Sequence, residues 1–285
     1  MSGRKQIAGS RALVTGAGRG IGLATAVQLA RAGATVDVVE LDERLAEAGA
    51  QAVRDAGGDA AGHVLDVRDG ARFSALVETI ENAQGPVDIL VNNAGLMTLG
   101  SFLEHGTAED ERQLAVNLRG VANGMRAVLP RMVARGRGHV VNIASVAGRV
   151  GAPHAAMYSA TKFATIGLTE AVRAEHLGTG VDFTYVMPAF VQTELVAGTS
   201  HPVWPPPVQP EDVGAAVVRA IERRQVDVYV PRVARISTLL PVILPRAALD
   251  FLGRKLGMLD MFAHVDPASR ASYVARTSGS ANDSD

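Results

Sequence analysis

The sequence contains no cysteine. This absence excludes a disulfide framework, cysteine-ligated zinc, iron–sulfur clusters and thiol catalysis. The seven histidines show neither the H-E-x-x-H motif nor another ligand spacing, so we expect no metal site. The polar N-terminus shows no secretory signal, and no apolar run reaches the roughly 20 residues that a membrane span requires. We therefore expect a soluble, cytoplasmic protein.

No charge of one sign dominates either, because 28 basic and 29 acidic side chains leave a formal net charge of −1. A globally basic surface for nucleic acid is not expected from this balance. Hydrophobic residues make up 47% of the 285 positions, which is enough for a large core. Glycine is over-represented, with 30 residues, and the length is compatible with one or two domains.

Short β-branched runs alternate with helix-forming stretches along most of the chain. Apolar strands separated by helices are typical of a parallel sheet that is covered on both faces. Right-handed crossovers then predict an α/β fold, a doubly wound parallel β-sheet of the Rossmann type with helices on both faces. The predicted strands are 12–15, 35–40, 61–65, 87–92, 139–144, 181–187 and 227–230, and the main predicted helices are 21–32, 42–56, 71–83, 120–135 and 155–177.

The strand–helix alternation stops after Val230. We predict one large domain over residues 1–231 and a C-terminal helical extension, apolar and basic, over residues 232–276. Residues 277–285 are polar and are predicted to form a disordered tail. Five prolines within 201–210 predict an extended, irregular connection.

Four glycines lie where the first strand is expected to become the first helix. A pyrophosphate at that place needs backbone N–H groups turned toward it with no Cβ in the way, and the helix N-terminus adds about half a positive charge. The spacing is Gly-x-x-x-Gly-x-Gly, for which a tight turn packed on the sheet is the alternative interpretation. The predicted dinucleotide-binding residues of this turn are Gly16, Gly18, Arg19, Gly20, Ile21 and Gly22.

An acidic residue at the end of the second predicted strand, Glu40, favours the dinucleotide interpretation. A carboxylate there accepts hydrogen bonds from the ribose 2′-hydroxyl of NAD and repels the 2′-phosphate of NADP. Arg19 argues for NADP, because a guanidinium in the turn could pair with that phosphate. We predict NAD as the cofactor, with NADP as the less favoured alternative.

Tyr158 and Lys162 are spaced i, i+4 and therefore lie on one face of a helix. Ser145 ends a predicted strand, and parallel strands present their carboxyl ends to the crevice where ligands bind. Oxidising an alcohol or reducing a ketone requires a proton to leave or join the oxygen. A tyrosine base at about pH 7 needs its pKa lowered by about three units, or about 4 kcal/mol, which one cation at about 4 Å could supply.

The sequence resembles the short-chain dehydrogenases/reductases over roughly residues 8–230. The matching segments are Thr15–Gly22, Asp66-Val67, Asn92-Asn93-Ala94-Gly95, Asn117, Ser145, Tyr158-x-x-x-Lys162 and Pro188-x-x-Val191-x-Thr193. Ala189 departs from the Pro-Gly that the family usually has, which puts the shape of that loop in question. Asn92 is interpreted as a residue that supports the fold.

The resemblance implies a catalytic tetrad of Asn117, Ser145, Tyr158 and Lys162, in which Asn117 holds a water that links Lys162 to a proton relay. Tyr158 and Lys162 would also bind the nicotinamide ribose. The remaining implied cofactor contacts are Asp66 and Val67 to the adenine, Asn93, Ala94 and Gly95 to the adenosine ribose, and Pro188, Val191 and Thr193 at the nicotinamide end. A homo-oligomer, a dimer or tetramer built through the helices that carry Asn117 and Tyr158, is implied as well.

The segment after Pro188 is expected to close over the substrate, and it carries no arginine or lysine up to Glu211. A charged substrate would ordinarily require a fixed cation, so a small, neutral, apolar alcohol or ketone is favoured. Met97, Ser145, Val150, Met157, Tyr158 and Trp204 are the candidate substrate-pocket residues, with Leu195, Val196, His201 and Val203 nearby in the loop.

Residues 232–262 combine many leucines with Arg232, Arg235, Arg246, Arg254 and Lys255. This composition is compatible with a peripheral membrane contact or with packing as a lid or oligomer interface, and the packing role is favoured. The sequence thus predicts an oxidoreductase that transfers a hydride between NAD(H) and an apolar secondary alcohol or ketone. The alternatives are an NADPH-dependent ketone reductase and a non-catalytic nucleotide-sensing or scaffold protein.

Overall fold

The computed structural model describes residues 5–104, 106–201 and 204–278. A seven-stranded, wholly parallel sheet runs through the molecule in the order β3-β2-β1-β4-β5-β6-β7. The order reverses between β1 and β4, which is where open α/β sheets bind their ligands. The strands are β1 Arg11–Thr15, β2 Thr35–Glu40, β3 Asp59–Val64, β4 Ile89–Asn92, β5 Gly138–Ile143, β6 Val181–Pro188 and β7 Asp227–Val230.

Helices cover both faces of this sheet, so the predicted fold class is confirmed. On one face, Leu29, Val53 and Val217 pack from three helices onto Val14 and Val38. On the other face, three further helices pack against the sheet through side chains such as Phe73, Val128 and Leu168. The helices are α1 Gly20–Arg31, α2 Glu43–Asp55, α3 Gly70–Gln84, α4 Thr107–Leu114, α5 Gly120–Ala134, α6 Ala156–Glu175, α7 Pro210–Arg223, α8 Ala234–Ile243, α9 Arg246–Lys255 and α10 Pro267–Ser278.

The connection that carries Asn117 differs from a plain crossover. Helix α4 and a π-helical turn, Ala115–Arg119, precede α5, and neither was part of the predicted helix 120–135. The wider turn buries the Asn117 side chain completely against α6. A single-turn π-bulge of this kind commonly marks a functional site.

The extension is helical as predicted, but its last helix reaches further along the chain. Thr277 and Ser278 belong to α10, which corrects the predicted start of the tail at residue 277. The Thr277 hydroxyl donates to the Tyr273 carbonyl, and the Thr277 carbonyl accepts a hydrogen bond from Arg112 at 2.6 Å. The Arg112 contact ties the end of the helix to α4, and residues 279–285 lie outside the described residues.

Asn92 takes part in a buried polar chain, in agreement with its predicted supporting role. Its amide donates to Asn142 Oδ1 at 2.8 Å, and the Asn142 amide donates to Thr169 Oγ1 at 2.8 Å. Asn92 and Asn142 are inaccessible, so each polar atom left without a partner there would destabilise the fold. This series of hydrogen bonds connects β4, β5 and α6 directly behind the carboxyl edge of the sheet.

Gly22 is required for close packing at the start of α1. An ideal Cβ at this position would lie 2.0 Å from the Gly16 carbonyl oxygen, whereas one at Gly167, also inside a helix, would meet nothing within 4 Å. We expect Gly22→Ala to lower the free energy of unfolding by about 2–3 kcal/mol and Gly167→Ala to raise it by up to about 1 kcal/mol. Urea unfolding of both variants tests this, and equal effects would contradict the packing argument.

Candidate active site

The carboxyl ends of the central strands border one large cleft with a volume of about 1700 Å³. Most of the predicted site residues line it, although they lie far apart in the sequence. The cleft-lining residues of the predicted cofactor and catalytic set are Gly16, Arg19, Gly20, Ile21, Glu40, Asp66, Val67, Asn93, Ala94, Gly95, Ser145, Tyr158, Lys162, Pro188, Val191 and Thr193. Gly18, Gly22 and Asn117 of the predicted set do not line the cleft.

The glycine turn presents the N-terminus of α1 to the cleft. No side chain among the described residues caps the first N–H groups of α1, and its first turn contains no acidic residue. Gly16 and Gly20 adopt left-handed φ angles of 65° and 54°, which favour glycine. Uncapped N–H groups at a helix start, with no Cβ above them, form a site that fits a pyrophosphate.

Thr15 and Asn93 clamp this turn to the end of β4. The Thr15 hydroxyl accepts hydrogen bonds from the backbone N–H groups of Asn93 and Ala94 at 3.0 and 3.1 Å. The Asn93 amide in return donates to the carbonyls of Thr15 and Gly16 at 3.0 and 2.9 Å. The Asn93 side chain therefore shapes the glycine turn, a role that the implied ribose contact did not include.

Glu40 extends from the end of β2 toward the same turn. Its carboxylate accepts a hydrogen bond from the Gly18 N–H at 2.9 Å, and an ideal Cβ on Gly18 would lie 3.1 Å from the Glu40 Cγ. Arg19 turns the other way, because its guanidinium pairs with Glu194 of the loop after β6 at 3.2 Å. The Glu40 carboxylate thus lies at the end of β2 beside the glycine turn, and the Arg19 guanidinium is paired with Glu194 instead of with Glu40.

Asp66 lies on the cleft wall beside Arg68. Two guanidinium nitrogens of Arg68 and its backbone N–H donate to the Asp66 carboxylate. Burial alone raises the pKa of Asp66, but these hydrogen bonds outweigh burial and lower the pKa below its usual value. Asp66 is therefore a fixed acceptor, and neighbouring Val67 packs over Gly120 at the start of α5.

Ser145, Tyr158 and Lys162 lie together at the inner end of the cleft. The Lys162 ammonium lies 5.5 Å from the centroid of the Tyr158 ring and donates to the Ile143 carbonyl at 2.8 Å. The Ser145 hydroxyl hydrogen-bonds with the Tyr158 phenol and lies 3.4 Å from the Pro188 carbonyl. Ser145 Oγ also accepts from the Ala147 N–H at 3.1 Å, which fixes its position.

Burial dominates the titration of both Tyr158 and Lys162. It raises the pKa of Tyr158 to about 12, while the Ser145 hydrogen bond opposes this shift and the neighbouring Tyr273 adds to it. Burial also lowers the pKa of Lys162 from 10.5 to about 8. In the chain alone the phenol therefore keeps its proton at neutral pH, opposite to the lowered pKa that base catalysis needs.

Asn117 acts on the backbone of the segment after β4. Its amide oxygen accepts from the Leu96 N–H and its amide nitrogen donates to the Leu96 carbonyl, both at 2.8 Å. The amide nitrogen also donates to Thr161 at 3.1 Å. Both ends of the side chain are thus occupied, and the water that the resemblance places here stays a prediction.

The surroundings of Tyr158 toward the substrate side are apolar. Met97, Ala155, Phe190 and Phe262 form a buried cluster with the tyrosine ring. Of the candidate substrate-pocket residues, Val150 and Trp204 line the cleft, whereas Met157, in the first turn of α6, does not. Leu195, Val196 and His201 also line the cleft, and Val203 lies outside the described residues.

Helix α10 contributes two residues that the sequence argument missed. The Arg270 guanidinium, almost wholly buried, donates to the carbonyls of Leu195 and Met97 at 2.7 and 2.5 Å. The Tyr273 hydroxyl accepts a hydrogen bond from the Met97 N–H at 2.8 Å. This helix therefore joins the loops after β4 and β6 across the cleft.

Two further observations concern the loop after Pro188: the conformation of Ala189, and the cations that reach the cleft from elsewhere in the chain. Ala189 does not adopt a left-handed φ, so the residue fits the loop where the family usually has glycine. Arginines from outside the loop reach the cleft, namely Arg112, Arg246 and Arg276. Arg276 pairs with Glu194, Arg112 donates to the Thr277 carbonyl, and Asp250 lines the cleft one helical turn after Arg246.

The buried ammonium of Lys162 is expected to reduce the stability of the chain. The lowering of the Lys162 pKa from 10.5 to about 8 corresponds to a destabilisation of about 3 kcal/mol at neutral pH, and the hydrogen bond to Ile143 offsets about 1 kcal/mol of it. Lys162→Met should therefore raise the free energy of unfolding by about 2 kcal/mol at neutral pH. The folded wild type releases the Lys162 proton above about pH 8 but the unfolded chain only near 10.5, so wild-type stability rises over this window. Urea unfolding at increasing pH should show that the difference in the free energy of unfolding between Lys162→Met and the wild type becomes smaller.

Lys255→Met, which replaces an exposed lysine, is the matched control for this measurement. A Lys162→Met variant that is less stable than the wild type at neutral pH would contradict the assigned effect of burial.

Comparison with known proteins agrees with this geometry. A family model of short chain dehydrogenases matches residues 10–203. The chain is 38% identical to the ketoacyl reductase HetN of Nostoc sp. over 227 residues, and this alignment covers 79% of each chain.

Solved structures show the same fold. A short chain dehydrogenase/reductase from Burkholderia phymatum in complex with NAD aligns with a TM-score of 0.76 and 27% identity, covering 87% of this chain and 96% of that one. A gluconate 5-dehydrogenase from Burkholderia cenocepacia in complex with NADP and tartrate aligns with a TM-score of 0.71 and 30% identity, covering 79% and 95%. The chain therefore belongs to the short-chain dehydrogenase/reductase family of NAD- or NADP-dependent oxidoreductases.

Proposed function

We propose that this oxidoreductase transfers a hydride between NAD(H) and a neutral, apolar secondary alcohol or ketone, with Tyr158 as the general acid and base. The observation that carries the proposal is the buried Ser145–Tyr158–Lys162 group, which opens onto an apolar cluster next to the glycine turn. The bound nicotinamide supplies the hydride acceptor or donor in this reaction.

In ketone reduction, Tyr158 is the proton donor. Its raised pKa keeps the phenol protonated over the physiological range, so the proton is available when negative charge develops on the substrate oxygen. Ser145 holds that oxygen by a second hydrogen bond and remains fixed by the Ala147 N–H. The Lys162 ammonium then stabilises the phenolate that remains, because opposite charges attract strongly in a buried site.

In alcohol oxidation, the phenol must first lose its proton. The Lys162 ammonium, within contact of the ring, favours the phenolate, and its lowered pKa of about 8 still leaves it mostly charged at neutral pH. Because the buried phenol must lose its proton in this direction, alcohol oxidation should speed up as the pH rises while ketone reduction should not.

The choice of NAD is supported by Glu40. Its carboxylate is held against the glycine turn by the Gly18 N–H, where a ribose 2′-hydroxyl could donate to it and a 2′-phosphate would be repelled. The alternative, an NADPH-dependent ketone reductase, depended on Arg19. That guanidinium pairs with Glu194, so it does not balance the Glu40 charge.

The substrate class is supported by the cluster around Tyr158. Met97, Phe190 and Phe262 offer a substrate apolar surface and no charge. The nearby guanidinium groups of Arg270 and Arg276 are engaged with backbone carbonyls and Glu194. Arg246 of α9 also lines the cleft, without an ion pair in the described residues, but it is not part of the cluster around Tyr158. A neutral alcohol or ketone therefore suits that cluster better than a carboxylate or phosphate, which would need a cation beside it.

The predicted homo-oligomer, a dimer or tetramer through the helices that carry Asn117 and Tyr158, stays part of this proposal. Cytoplasmic localisation and the absence of a nucleic-acid partner also stay predictions. None of the helices in the described residues is long and apolar enough to cross a membrane.

Tyr158→Phe removes the proton donor and leaves the ring in place. We expect the turnover of secondary alcohols or ketones to fall by roughly 10²–10⁴, because that is the usual contribution of proton transfer. NADH binding, followed by fluorescence titration, should remain within a few-fold of the wild type. Full turnover by the variant would refute the role of Tyr158, and no turnover of any tested alcohol or ketone by the wild type would favour the non-catalytic nucleotide-sensing or scaffold alternative.

Glu40→Gln removes the charge that repels the 2′-phosphate. The wild type should bind NADH more tightly than NADPH, and the variant should lose most of this preference through a gain in NADPH affinity of roughly tenfold, or about 1.4 kcal/mol. Glu43→Gln, on the exposed first turn of α2, is the matched control. Tighter binding of NADPH than of NADH by the wild type would reverse the cofactor assignment.

A further inference from the structure

Helices α8 and α9 carry an unusual group of exposed hydrophobic side chains. About half of the large hydrophobic side chains that are exposed in the described residues lie within this short segment. Val242 is 82% exposed and Ile243 is 74% exposed. We call the following residues the apolar face: Val233, Ile236, Leu239, Val242, Ile243 and Phe251.

This face is not a packing surface of the domain itself. Other residues of the same two helices, among them Leu240, Leu249 and Leu252, line the cleft and are partly buried there. The sequence favoured packing of the whole segment 232–262, but only the residues of α8 and α9 that line the cleft are packed in this way. Six large hydrophobic side chains exposed within residues 233–251 are uncommon on a soluble monomer and mark a candidate interaction site.

Cations accompany the apolar face. Arg232, Arg235, Arg254 and Lys255 are exposed, and none of them makes an ion pair within the part of the chain that the structure describes. The Lys255 ammonium lies 5.9 Å from the Phe251 ring centroid, so charge and apolar surface are adjacent. Hydrophobic side chains beside unpaired lysine and arginine are the combination that binds an anionic lipid surface.

A second copy of this chain is a poorer partner for the same face. A two-fold interface places each patch against itself, which would bring these arginines and the lysine of both copies together. Like charges facing each other across an interface disfavour association. Anionic lipid headgroups supply the opposite charge, and the acyl boundary accepts the aliphatic side chains.

We infer that the apolar face of α8 and α9 docks on anionic membrane surfaces as a peripheral contact. The docking is independent of the proposed reaction, since it involves neither Tyr158 nor the glycine turn. It would place the inner side of the same helices, and hence the cleft, beside the lipid boundary. A neutral, apolar substrate dissolved in that boundary would then have a short path into the cleft.

Vesicle co-sedimentation of the purified full chain tests this inference. Vesicles of phosphatidylcholine with added phosphatidylserine should bind the wild type, vesicles of phosphatidylcholine alone should bind it much less, and added salt should weaken the binding. The triple variant Val242→Glu, Ile243→Glu, Phe251→Glu should reduce the partition coefficient at least tenfold. Reversal of Arg235 and Lys255 to glutamate should reduce it by roughly fivefold or more per residue.

Leu177→Glu is the matched control, because Leu177 is an exposed leucine outside the apolar face, and its binding should equal that of the wild type. Circular dichroism and thermal unfolding confirm the fold of each variant without any activity assay. Absence of wild-type binding, or equal binding by the triple variant, would overturn the inference. So would a wild-type oligomer in analytical ultracentrifugation that the triple variant dissociates without any vesicle binding, because the face would then belong to a second copy.

Discussion

The clamp between Thr15 and Asn93 is the interaction on which the cofactor half of the site depends. It joins the ends of β1 and β4 at the place where the strand order reverses. Four hydrogen bonds hold the glycine turn open toward the cleft while Gly22 packs directly under Gly16. The free N–H groups of α1, the Glu40 carboxylate and the wall formed by Ala94 and Gly95 all take their positions from this junction.

Desolvation sets the chemistry on the other half of the site. The same burial raises the pKa of Tyr158 from 10.0 to about 12 and lowers that of Lys162 from 10.5 to about 8, so the two values move apart and the phenol holds its proton more firmly than the ammonium does. The fold bears the cost of a buried ammonium because Ile143 offers it a carbonyl and the tyrosine ring lies alongside. The buried Lys162 ammonium thus lowers the stability of the fold, while the proposed reaction depends on its charge.

Much of the architecture could be predicted from the sequence because the signals are local. All seven strands were predicted to within two residues at both ends, since each is a short apolar run between turn residues. The π-helical turn around Asn117 carries no such pattern, and α7 follows a proline-rich stretch that suggested only irregular structure. Tyr158 and Lys162 were identified by spacing, whereas the Leu96 contacts of Asn117 depend on tertiary structure.

Arg270 and Tyr273 had no local signature, because their partners Met97 and Leu195 lie far away in the chain. Their position has a consequence for the order of events during protein synthesis. All seven strands, the glycine turn and Tyr158 leave the ribosome before α10 does. A nascent chain can therefore form its parallel sheet early, while the helix that joins the loops after β4 and β6 is synthesised last.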